Sequence, residues 1–257
     1  MNASSKVRIG KILVDQISLA DMLRIVTNAL TSHSSRTVFY ANSHAVTLAD
    51  RDPSFAAAMQ QADAIFCDGF GVYLASRVLG ASIPERFSWP DWIQNLCEVS
   101  RDNAASMFFL GAGDGVAGEA ARKLEAAVPG LRVDSHHGHF VKDDPSSREV
   151  IDLVNGSGAQ VLLVGFGMPL QERWIARYRA DLKPLVVFSV GALLDYAAGN
   201  VVRGPRWLTQ RGFEWLTRLV VEPRRLWKRY LVGLPQFGLL VLRQRLSARP
   251  QLSAGNR

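Results

Sequence analysis

Six short β-rich runs recur along the chain, Thr37–Ala41, Ala64–Cys67, Met107–Leu110, Leu131–Ser135, Gln160–Val164 and Leu185–Val190, with helix-forming segments such as Gly115–Ala127, Ser146–Asn155 and Pro169–Ala180 between them. Apolar runs that alternate with helical stretches suit a parallel sheet, because crossover helices cover both of its faces. The alternation predicts an α/β fold with a Rossmann-like parallel-sheet core. Ligands of such folds bind beyond the carboxyl ends of the strands, so the residues that follow each run are the first candidates for a site.

Those residues are small, polar or ionisable. Asn42-Ser43-His44 follows the first run, Asp68-Gly69-Phe70-Gly71 the second, Gly111-Ala112-Gly113-Asp114-Gly115 the third, His136-His137-Gly138 the fourth, and Gly165-Phe166-Gly167-Met168 the fifth. The loop at Gly111 and Gly113 reads either as a nucleotide-binding turn, whose glycines admit a phosphate to a helix N-terminus, or as a plain tight turn. Its spacing is wrong for a dinucleotide fingerprint, which counts against a nucleotide-dependent oxidoreductase.

Asp68, at the mouth of an apolar strand and followed by two nearby glycines, suits a base that takes a proton from a hydroxyl. It equally suits an N-cap for the helix that begins near Gly71. Gln171 could bond a sugar hydroxyl or complete a cap, and His136 and His137 could touch a ligand or hold a turn. Asp50-Arg51-Asp52 spells a D-x-D, but its place between a helical pattern and Pro53 marks a helix end rather than a metal site. Cys67 and Cys97 lie in apolar segments without metal-ligand spacing, as buried reduced thiols of a cytoplasmic protein would. No metal ligand set is expected.

Charge divides the chain unevenly. From Arg203 to Arg257 twelve Lys/Arg face only Glu214 and Glu222, a net +10 against +7 for the whole chain, which leaves residues 1–202 at −3. The same stretch carries Trp207, Trp215, Leu219, Leu226, Trp227 and Tyr230, with Arg218, Arg225 and Arg229 interleaved. Apolar groups three and four apart among basic ones predict amphipathic helices, and with tryptophan present they favour an anionic membrane surface. A solvated basic subdomain is the alternative; nucleic acid would not need so much apolar bulk. The expected division is a core over 1–200 and a helical appendage over 201–257, with oligomeric state open. Met1–Arg8 has no apolar stretch of the kind a secretory signal needs, and no run approaches the ~18 apolar residues of a spanning helix. The expected place is cytoplasmic, peripheral on the inner face of the membrane.

Several longer segments are distinctive as an ordered set: CDGFGV (67–72), PER (84–86) followed by Asp91, FLGAGDGVA (109–117), HHGHF (136–140), GFGMPLQERWI (165–175), GALLDYAAG (191–199) and the basic stretch over 202–233. Together they resemble the WecG/TagA/CpsF family, glycosyltransferase family 26, which builds bacterial surface polysaccharides on a polyprenyl-diphosphate lipid. The resemblance implies an inverting hexosyltransferase that needs no metal or other cofactor. Its donor would be a UDP-sugar, its acceptor a glycosyl-diphospho-polyprenol, and its appendage would dock on the membrane. It favours Asp68 as general base, Asn42 and Gln171 as residues that orient the sugars, and Arg86 as a substrate contact. Asp91, Gly111, Gly113, His137, Gly165 and Gly167 fall within the matched motifs as substrate-binding candidates. Arg218, Arg225 and Lys228 match the family's phosphate-contacting arginines, Lys228 with the charge but without the bidentate fork. The chain departs from the family at Tyr40-Ala41, Trp89-Pro90 and His139, positions expected to shape the sugar pocket. A non-enzymatic membrane or nucleic-acid adaptor is the remaining rival, and it would give the glycine-rich strand ends no purpose.

Overall fold

The computed structural model describes residues 5–201, 204, 214–221 and 223–247. In chain order the elements are β1 (Lys6–Ile9), β2 (Ile12–Asp15), α1 (Leu19–Thr31), β3 (Arg36–Ala41), α2 (Ser43–Arg51), α3 (Pro53–Met59), β4 (Ala64–Cys67) and α4 (Phe70–Val78). Next come α5 (Trp89–Asp102), β5 (Met107–Gly111), α6 (Val116–Ala127), β6 (Val133–His136), α7 (Asp144–Gly156), β7 (Val161–Gly165), α8 (Leu170–Tyr178), β8 (Val186–Ser189) and α9 (Leu193–Ala198). The last described stretch holds α10 (Glu214–Val221), α11 (Pro223–Trp227), a π-helical turn (Lys228–Val232) and α12 (Gly233–Ser247).

Strands β3 to β8 form one parallel sheet in the order β4-β3-β8-β7-β5-β6. All six expected strands are present, with bounds moved by up to two residues. Burial on both faces explains their continuous apolar runs: Phe39 and Ala41 point into one core with Leu162, Val164 and Val187, while Val38 and Tyr40 point into the other with Leu163 and Phe188. After β5 the chain turns toward β6, and after β7 it turns the opposite way toward β8. That divergence opens a crevice between the ends of β5 and β7. Gly111 and Gly165 are paired there, and a Cβ on Gly111, whose φ is +150°, would stand 2.5 Å from the Gly165 carbonyl oxygen. Only glycine fits this close approach.

The antiparallel β1–β2 hairpin was not expected from the sequence. Its burial alternates with period two across a Gly10-Lys11 turn, and Gly10 has φ +58°. The hairpin is also where the C-terminal segment docks. Gln244 of α12 accepts from Gly10 N at 2.8 Å and donates to the Arg8 carbonyl at 2.7 Å. Phe237 and Val241 of the same helix are buried in the core that contains Ala45, Val46 and Val72. Cutting the chain after Asn200 therefore takes side chains out of the body's own core. Phe237→Ala is expected to lower folding stability by about 3–5 kcal/mol, measured by denaturant titration.

Candidate active site

Two neighbouring strands place an amide and an acid side by side. Because Ala41 pairs with Cys67, the next residues, Asn42 and Asp68, leave the sheet together. Asn42 caps α2, its Oδ1 accepting from Ala45 N at 3.0 Å, and its Nδ2 donates to Asp68 Oδ2 in a long 3.5 Å hydrogen bond. The cap thus fixes the amide, and the amide orients the acid. The N-cap of α4 is Gly69, with φ +100°, so Asp68 stands one residue before the capping position. Of the two places the sequence left open for Asp68, the N-cap position itself is held by Gly69.

Two cavities meet at this pair. The larger, of 460 Å³, runs across the strand ends from Asp68 past Gly165, Gly167 and Gly191 to Gly113, His139 and Lys142. The smaller, of 260 Å³, is lined by Ser43, Phe70, Gly71 and Arg86 and by Trp215, Tyr230 and Leu234 from the C-terminal segment. Among the described residues, Asn42, Asp68 and Arg229 line both. All the departures noted above, Tyr40, Trp89-Pro90 and His139, fall on the wall of the larger cavity, apart from Ala41 within its strand.

Arg229 was not singled out for the site by the sequence. Its half-buried guanidinium lies near Tyr40 and His44, and its Nε is buried without a hydrogen-bond partner. Burial first, then Arg229, lowers the His44 imidazole to about 4, so His44 is neutral at neutral pH. The helical pattern carried the signal for Arg229: Leu226 and Tyr230 are buried four residues apart, and Arg229, three beyond Leu226, shares their inward face. Lys228 is exposed, its Nζ 5.5 Å from the Trp227 ring centroid, and it lines neither cavity. The side chains of Arg218 and Arg225 lie outside the described residues.

Other expected residues take supporting places. Gln171 is fully buried and does not line either cavity; its Oε1 accepts from Gly167 N at 3.1 Å and Gly191 N at 3.0 Å, and its Nε2 donates to Glu172 at 2.7 Å. With its amide so engaged, it holds two loops of the floor rather than facing a sugar. Asp91 forms a capping box with Ser88, whose hydroxyl donates to it at 2.6 Å. His137 accepts from His139 N at 3.2 Å and stays outside the cavity, which His139 lines. Lys142, also missed, donates to the Gly138 and Phe140 carbonyls beneath the Phe140 and Phe166 rings, and burial lowers its ammonium to about 8. Arg86 lies beside Cys67 and Asp68 on the smaller cavity.

The D-x-D segment is a helix junction. Asp52 caps α3 through Ser54 N and Phe55 N and pairs with Arg173; the Ser54 hydroxyl above all holds its carboxyl down at about 2. Cys67 and Cys97 are buried free thiols, both pushed up by burial. Among the described residues no group of three or more His, Cys, Asp or Glu is placed to hold a metal.

A parallel α/β sheet with a polar cleft across its carboxyl ends, and an acid where two cavities meet, is a place where ligands of such folds bind. The chain belongs to the glycosyl transferase WecG/TagA/CpsF family, whose sequence profile matches residues 7–251. It is 29% identical over 238 residues to an N-acetylglucosaminyldiphosphoundecaprenol N-acetyl-beta-D-mannosaminyltransferase of Bacillus spizizenii, covering 92% of this chain and 91% of that protein. Proteins of the same name from Bacillus subtilis and Staphylococcus aureus are 27% and 26% identical, over 76% and 88% of this chain and 74% and 87% of theirs.

Proposed function

We propose that the protein transfers a hexose, with inversion, from a UDP-sugar in the larger cavity to a glycosyl-diphospho-polyprenol whose sugar enters the smaller one. The observation that carries this reading is the junction: Asn42, Asp68 and Arg229 belong to both cavities, where a donor carbon and an acceptor hydroxyl would have to meet. Asp68 takes the proton of the acceptor hydroxyl as its oxygen attacks the anomeric carbon from the face opposite the leaving group. The bond from that carbon to the diphosphate breaks, its electron pair leaves with UDP, and the proton stays on Asp68. Asn42 holds the acid in line, and Arg229 with Arg86 offsets the charge that develops on the diphosphate. The names of the relatives favour an N-acetylmannosamine-type donor over glucose, and N-acetylglucosaminyl-diphospholipid as acceptor. Transfer of labelled sugar from a panel of UDP-sugars to that lipid tests the reading; no product from any of them would reject it.

The reaction is proposed to be metal-independent, with arginines in place of a metal ion. Activity is expected to stay within about twofold in excess EDTA, since fixed guanidinium groups supply the charge a metal would. Loss on chelation with recovery on adding Mg²⁺ or Mn²⁺ would reject this.

A membrane-bound acceptor requires that the smaller cavity face a lipid surface, and the protein is proposed to lie on the inner face of the cytoplasmic membrane. Leu216, Val220, Trp227 and Leu231 are exposed on the C-terminal segment that also gives Trp215, Tyr230 and Leu234 to the wall of that cavity. Phe70, Leu74 and Val78 add an exposed stripe on α4, which α12 contacts. Exposed apolar groups beside basic ones suit peripheral insertion. Among the described residues no helix is long and apolar enough to cross a membrane.

A further inference from the structure

Beneath the floor of the larger cavity lies a buried acid for which the transfer step has no use. Glu172, Gln171 and Ser189 are each fully buried. Gln171 accepts from the backbone N–H groups of Gly167 and Gly191 with one amide atom, which leaves the other to donate to Glu172 Oε1 at 2.7 Å. The cluster's two remaining polar atoms, Glu172 Oε2 and Ser189 Oγ, have no hydrogen-bond partner, although Ser189 stands close enough to act on the carboxyl. One proton on Oε2, donated to Ser189 Oγ, satisfies both. A carboxylate could accept from the Ser189 hydroxyl instead, but it would be an anion in a fully buried site with no cation among the groups acting on it.

We propose that Glu172 is a positioning residue of the donor site: held as the neutral acid, it fixes the Gln171 amide, and through it the Gly167 and Gly191 loops, and keeps negative charge from beneath the donor's diphosphate. This rests on the UDP-sugar reading of the larger cavity. The groups that face Glu172 are Gln171 on its own helix, Ser189 on β8 and Tyr40 on β3, with Asp68 and Arg229 beyond Tyr40. No Lys, Arg or His is among the groups acting on the carboxyl, and burial pushes it up to about 7. Its charge therefore changes near neutral pH. Because the folded protein binds this proton more tightly than the unfolded chain, the contribution to stability falls as pH rises from about 4.5 through about 7.

Calorimetric titration of UDP into the full chain between about pH 6 and 8.5, with melting temperatures in parallel, separates the possibilities for wild type, Glu172→Gln and Glu172→Leu. The titrations of UDP itself and of every other protein group are common to all three proteins, so the wild-type to Gln ratio isolates residue 172. Glutamine mimics the neutral acid, accepting from Gln171 and donating to Ser189. Glu172→Gln is expected to bind UDP within about threefold of wild type at pH 6, while wild type weakens relative to it by about tenfold toward pH 8.5. Glu172→Leu, which strands the Gln171 donor, is expected to bind at least about tenfold more weakly at every pH while still folded. Superposable pH profiles for wild type and Glu172→Gln, or wild-type binding by Glu172→Leu, would overturn the inference alone. Folded wild type that binds no UDP at any pH would overturn the donor reading and this inference with it.

Discussion

Replacing Asp68 with asparagine is expected to lower sugar transfer by about 10²–10⁴ while UDP affinity stays within a few-fold of wild type, the range for loss of a general base. The substitution keeps the shape of the side chain and its contact with Asn42 but removes the ability to take a proton. A stability loss would not explain such a result, because the N-cap of α4 is Gly69 and asparagine at 68 keeps the oxygen that could accept from a backbone N–H. Measurement of turnover beside UDP binding and melting temperature separates the two effects. A folded Asp68→Asn protein with turnover near wild type would remove Asp68 from the mechanism.

Asp68 is legible in the sequence alone because strand ends in parallel sheets are where ligands bind, and its strand is a clean apolar run. Its pairing with Asn42 needs only the parallel register of β3 and β4. Gln171 cannot be read the same way. Its environment is set by the N–H groups of Gly167 and Gly191, the latter twenty residues on, which come together only when β7 and β8 lie side by side. The sequence marks Gln171 as polar at a helix start but carries no sign that it faces inward. The buried carboxyl of Glu172 is hidden for the same reason, since glutamate in the first turn of a helix ordinarily faces water. The β1–β2 hairpin did have its signal, in Val7, Ile9, Ile12 and Val14 flanking Gly10, yet two four-residue strands are short enough to pass for a polar terminus.

In the C-terminal segment, charge density alone does not say which cations face the site. Lys228 and Arg229 are adjacent, so a helix points them about 100° apart and at most one can share the face of Leu226 and Tyr230. The resemblance selected Lys228, whereas spacing from the buried pair selects Arg229, and the structure places Arg229 on both cavities. The π-helical turn at Lys228–Val232 holds Tyr230 against Trp215, with ring centroids 5.8 Å apart, and so steadies the arginine beside it.

Arg229→Ala is accordingly expected to lower turnover by about 10²–10³, the range for removing one fixed donor from a charge that develops in the transition state. Lysine at 229 should restore part of that loss, since it keeps the charge without the fork, and Lys228→Ala should cost little by comparison. The acceptor chosen for the assay decides what the arginine does. If Arg229 ligates diphosphate, its loss persists with a short-chain, water-soluble acceptor; if it serves only to attract anionic lipid, activity on that acceptor is retained and vesicle binding weakens with salt instead. A second readout is independent of turnover. Arg229 helps hold the His44 imidazole down, so its removal should raise the His44 titration above about 4, as followed by NMR. A folded Arg229→Ala protein with wild-type turnover on the soluble acceptor and an unmoved His44 would show that the guanidinium lies outside the reacting groups, and the charge on the leaving diphosphate would then have to be met by Arg86 and the remaining basic side chains of the C-terminal segment.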